Sequence, residues 1–91
     1  MKIVEGYVLR RLIDEWVVVP IGKGQNLFGQ PDMTFLTESS AMLWKKLEQG
    51  ADESTLINIL CEHYEIDKET AATDVIGFLA VLKDKHLLIE D

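Results

Sequence analysis

The apolar residues of this chain change period once. From Tyr7 to Ile21 they form two β-branched and aliphatic runs, the second alternating, and from Ala41 onward they recur every three to four residues. A small sheet therefore precedes a set of helices, which is the α+β order of elements. With 91 residues the chain is expected to form a single domain over 1–91, without repeats or an internal linker. A core of this size is thin and leaves little volume for a deep catalytic pocket.

Two β-branched and aliphatic runs, Tyr7 to Ile13 and Glu15 to Ile21, meet at Asp14-Glu15 and predict a hairpin. In the second run Trp16 and Val18 face one way, and Val17, Val19 and Ile21 the other. Pro20 belongs near a strand end or on a free edge. Residues 22–32 hold three glycines, Asn26 and Pro31 and read as a loop. A third short strand is expected over Met33 to Leu36.

Three helices follow, over about residues 38–49, 53–65 and 68–85. Thr37, Asp52 and Asp67 are their N-caps, and Gly50 stops the first. The first helix turns Ala41, Leu43, Trp44 and Leu47 inward. The second turns Leu56, Ile59, Leu60 and Tyr64 inward, and Leu87-Leu88-Ile89 is an apolar tail expected to pack back on the body.

Charge narrows the choice of partner. The net charge is −7, and all of it falls in residues 51–91, which carry ten acidic and three basic side chains. Nucleic-acid affinity comes largely from Lys and Arg replacing counterions on phosphates, so an acidic half argues against that ligand. The single cysteine, Cys61, excludes an intramolecular disulfide. No run approaches the ~18 apolar residues of a membrane span, and the expected location is the cytoplasm.

No catalytic or metal-binding set is apparent. Cys61 and His63 stand two apart on a predicted helix and diverge, while His86 is alone at a helix end. Gly22-Lys23-Gly24 lacks the Ser/Thr and following helix of a phosphate loop. Ser39, Ser40, Ser54, Thr55 and Thr70 lie at helix starts, where hydroxyls cap. The expectation is a protein that is not an enzyme and takes no cofactor and no metal.

The third helix carries more apolar surface than a core contact needs. Ala71, Ala72, Val75, Ile76, Phe78, Leu79 and Leu82 cover about 160° of its circumference, against roughly 100° for one buried stripe. A neighbouring helix and the tail could cover all of it. The alternative is a ligand. Lys68 to Lys85 would run about 27 Å, the length of roughly eight extended residues. If Met33 to Leu36 is a sheet edge beside this helix, an incoming peptide could pair with its backbone and place apolar side chains against the helix.

Leu36-Thr37-Glu38-Ser39-Ser40-Ala41-Met42-Leu43-Trp44-Lys45-Lys46-Leu47, followed by Gly50, resembles the Leu-Asn-Glu-Thr-x-Ala-x-Ile-Trp-x-x-Leu pattern of PqqD-like proteins. Leu9-Arg10-Arg11, Trp16 to Pro20, Tyr64-Glu65-Ile66-Asp67, Asp74-Val75, Phe78-Leu79, Leu82 and Leu87-Leu88 extend the likeness over nearly the whole chain. Thr37 replaces a common Asn, His86 stands where glycine is frequent, and the glycine-rich loop is not a family feature. The resemblance implies a winged-helix-like fold acting as a RiPP recognition element. Such domains bind the leader of a ribosomally made precursor as an added strand and present it to a modifying enzyme, often a radical SAM protein. In the namesake the product is pyrroloquinoline quinone. By position, Met33, Thr34, Phe35 and Leu36 would be the pairing strand, and Ala72, Val75, Ile76, Leu79 and Lys83 the helical wall. Val75, Leu79 and Leu82 could equally be core, which makes Ile76 and Lys83 the sharper candidates.

Two other classes fit the same elements. A winged-helix DNA-binding regulator would need cations on its recognition helix, yet the second and third helices offer Lys68, Lys83 and Lys85 among many acids. A structural subunit could instead dock on a larger enzyme through its apolar surface. An open strand edge could also pair with a second copy as a homodimer.

Overall fold

The computed structural model describes residues 1–21 and 34–90. Its elements in order are β1 (Lys2–Ile3), β2 (Tyr7–Leu12), β3 (Glu15–Pro20), β4 (Thr34–Leu36), α1 (Glu38–Gln49), α2 (Glu53–Tyr64), α3 (Lys68–Asp84) and β5 (Leu88–Ile89). The α+β order read from the sequence is observed. The expected third strand is β4, Met33 and the loop 22–32 lie outside the described residues, and the three helices end within a residue of expectation.

The chain divides into two compact units, Glu5–Met42 and Met1–Val4 with Leu43–Asp91. The first holds a three-stranded antiparallel sheet in the order β2-β3-β4. Its hairpin turns at Ile13-Asp14, because Leu12 pairs with Glu15, and not at Asp14-Glu15, where the two apolar runs of the sequence meet. Ile13 takes φ 52° while Asp14 keeps φ negative. That sign order belongs to a type II′ turn, whose first central position favours glycine. The central strand buries Val17 and Val18 on opposite faces. Pro20 closes β3 at its last position, where a missing N–H costs the ladder least.

Helix starts follow the capping residues. Thr37 Oγ1 accepts from the Ser40 backbone N–H at 3.1 Å. Asp52 accepts from Thr55 and Asp67 from Thr70, each at 2.8 Å. These hydrogen bonds stabilise the carboxylate form and hold both acids below the ordinary aspartate range. Gly50 ends α1 at φ 96°, a conformation a side chain rarely adopts.

In the second unit Trp44, Leu47, Leu56, Leu60, Val75 and Leu82 are sealed from solvent. Tyr64, expected to face inward, is exposed because it occupies the last residue of α2. The end of α3 is a Schellman closure: Leu87 N–H donates to Leu82 C=O at 2.8 Å and His86 N–H to Lys83 C=O at 3.1 Å. His86 supplies the left-handed residue, φ 59°, in a conformation that favours glycine. The tail then becomes β5, paired antiparallel with β1 through Lys2–Ile89 and Ile3–Leu88. This two-stranded sheet was not evident in the sequence.

Candidate functional site

β4 is the last strand of its sheet. One side pairs with β3, as Thr34–Val18, Phe35–Val17 and Leu36–Trp16. A strand directs its backbone N–H and C=O groups alternately to its two sides, so a part of this row points away from β3. Among the described residues Thr34 to Leu36 make no further backbone hydrogen bond. Thr34 is buried and Leu36 half-buried, whereas Phe35 keeps 59% of its surface exposed. Met33, the remaining expected member, lies outside the described residues.

The helical candidates separate into two groups. Val75 and Leu79 are buried with Ala71, Phe78 and Leu82 along one side of α3. They are core residues of their unit. Ala72 is half-buried at the margin of that stripe. Ile76, 55% exposed, lies beyond it. Lys83 shares that side, seven residues further on, and its ammonium meets Glu90 at 3.2 Å.

Sequence reading missed what surrounds Ile76. Thr73 and Ala80 stand one turn either side of Ile76, at i−3 and i+4, Gly77 lies between them at i+4 from Thr73, and all three are exposed. A Cβ placed on Gly77 would meet nothing within 4 Å. Val81, also exposed, extends this low, apolar strip. The signal was legible as small residues at helical spacing, but the broad apolar stripe masked it.

The residues weighed for chemistry are scattered. Cys61 is a half-buried free thiol, His63 packs edge-on to Tyr64 at 4.7 Å, and His86 terminates α3. No three His, Cys, Asp or Glu side chains among the described residues are grouped to hold a metal ion. Likewise, no described helix is long and apolar enough to cross a membrane.

Strand hairpin, edge strand and three helices define a small α+β protein whose sheet, among the described residues, ends in the short strand β4. The family model described as coenzyme PQQ synthesis protein D (PqqD) matches residues 15–88. The chain belongs to the PqqD family. A solved structure described as TbiB1 in complex with the TbiA(beta) leader peptide is similar at TM-score 0.75 and 27% identity, over 100% of both chains. A second, lasso peptide synthetase B1 complexed with the leader peptide, shares the fold at TM-score 0.75 and 15% identity, over 98% of this chain and 96% of that one. No match was found among curated proteins.

Proposed function

We propose that this chain is a RiPP recognition element: it binds the leader of a ribosomally made precursor peptide and presents it to a separate modifying enzyme, such as a radical SAM protein. The leader adds to β4 as a further strand. Backbone hydrogen bonds along Thr34 to Leu36 supply affinity. On the other unit, the exposed side of α3 at Ala72, Ile76 and Lys83, with Val75 and Leu79 buried beneath it, is the candidate surface for leader side chains.

The observation that carries this reading is the edge strand itself. Open edges invite uncontrolled pairing, and proteins usually blunt them with charge, proline or a bulge. Thr34-Phe35-Leu36 has none of these and presents an exposed phenylalanine instead. Family membership and the leader-bound structure at 27% identity support the same ligand class. The protein performs no chemistry of its own and acts in the cytoplasm, where Cys61 stays reduced.

The direct test is titration of isotopically labelled protein with the leader of the precursor encoded beside it. Amide shifts are expected to move along Thr34 to Leu36 and at Ala72, Ile76 and Lys83. Saturating leader without change at these positions removes the proposal. Mass analysis of the precursor mixed with this protein alone should show no modification. A modified product would instead identify an enzyme.

A further inference from the structure

The side chains of the three-stranded sheet form cross-strand rows, because residues directly opposite one another project from the same face. Leu9, Val18 and Thr34 make one row, Arg10, Val17 and Phe35 the next, and Arg11, Trp16 and Leu36 the third. Successive rows alternate between faces. Thr34 and Leu36 therefore share one face, where Val18 and Pro20 are buried and Trp16 is half-buried. Arg11 lies over the Trp16 ring there, 5.1 Å from its centre. Phe35 stands on the opposite face. Its row is sealed in the middle at Val17 and opens at β4, where the ring meets solvent.

We infer that Phe35 is a specificity-determining residue, and that its side chain selects a large apolar, preferably aromatic, residue at one position of the bound leader. This rests on the strand-addition reading above. A leader residue paired with Phe35 continues the Arg10–Val17–Phe35 row and lies on that face whether the added strand runs parallel or antiparallel. Its Cβ comes within roughly 4.5–5.5 Å of that of Phe35. The leader residues immediately before and after it project to the Thr34–Leu36 face and do not touch the ring. Residues two positions away reach it only diagonally, at roughly 7–8 Å. Backbone pairing alone would accept almost any sequence. The Phe35 ring adds a preference with a period of two, on the face opposite the one that Thr34 and Leu36 help to bury.

The test is calorimetric titration of the full chain and its Phe35→Thr variant with a synthetic leader peptide and its single-alanine series. Threonine keeps the strand propensity and removes the ring. Phe35→Thr is expected to weaken binding about fivefold, and Phe35→Tyr to restore it. Alanine at one leader position should cost the same in the wild type and nothing further in the variant. Alanines at the two adjacent positions should add fully to the variant's loss. Equal affinity of wild type and Phe35→Thr overturns the inference while leaving strand addition standing, and so does a loss additive at every leader position. A wild-type protein that ignores the leader defeats both. If Phe35→Thr does not fold, aspartate against leucine at the sensitive leader position, measured on the wild type, decides the same point. The aspartate leader should bind at least fivefold more weakly, and equal binding overturns the inference.

Discussion

Phe35 and Val17 face each other across the β3–β4 ladder, yet Val17 is 1% exposed and Phe35 59%. The difference is one of position. Val17 lies on the central strand with neighbours on both sides, and Phe35 lies on a strand that has one among the described residues. The larger ring thus contributes less to folding than the smaller valine beside it. Val17→Ala is expected to cost about 2 kcal/mol, from lost burial plus the cavity left behind. Phe35→Thr should stay within about 0.5 kcal/mol. Denaturant midpoints for the two variants check this, and a Phe35 loss above that of Val17 would place the ring in the core.

On α3 the same contrast separates wall from core. Leu79→Ala removes a buried side chain and should cost about 2–4 kcal/mol, which disqualifies it as a probe of binding. Ile76→Asp lies on the exposed side and should leave stability within about 0.5 kcal/mol while weakening leader binding at least about fivefold. Lys83→Glu loses the exposed pair with Glu90, worth roughly 0–1 kcal/mol. Its binding defect should shrink as salt rises, since exposed charge interactions are screened. Leader affinity unchanged in both variants would remove α3 from the site.

Much of this was legible in local sequence. Period-two and period-3.6 patterns located the sheet and helices, and Thr37, Asp52 and Asp67 marked helix starts because each cap is a short-range contact between near neighbours. The β1–β5 pair was not legible. Two residues are too few to show alternation, and Lys2 and Ile89 are joined only through the whole chain. On α3 the apolar stripe was visible, but periodicity alone could not tell where core ended. Burial draws that line between Leu79 and Ile76.

The hairpin turn was misplaced for a physical reason with its own consequence. Ile13 is 91% exposed and holds φ 52°, a strained conformation for a β-branched residue that costs roughly 1–2 kcal/mol. Glycine removes that strain but gives back about 0.4–1 kcal/mol through the entropy of the unfolded chain. Ile13→Gly should therefore stabilise the protein by about 0.5–1 kcal/mol, seen as a higher denaturant midpoint at unchanged slope. A lower midpoint would mean that the isoleucine makes a stabilising contact at the tip.

Acid should loosen the starts of α2 and α3 first. Asp52 and Asp67 are held below their ordinary range, chiefly by the hydrogen bonds from Thr55 and Thr70. A carboxyl group whose folded value is depressed binds protons more readily when unfolded. Its stabilising contribution is thus complete above the unfolded value, about 3.9, and is lost as pH falls through the lower folded value. Stability should be insensitive to these two groups near neutral pH and decline below about pH 4. Asparagine at both positions retains a capping oxygen but cannot titrate. The Asp52→Asn, Asp67→Asn double variant should show a shallower acid slope in denaturant midpoints between about pH 5 and 2.5, alongside a wild type that falls more steeply. Identical slopes would show that these caps do not contribute to the acid sensitivity of the fold.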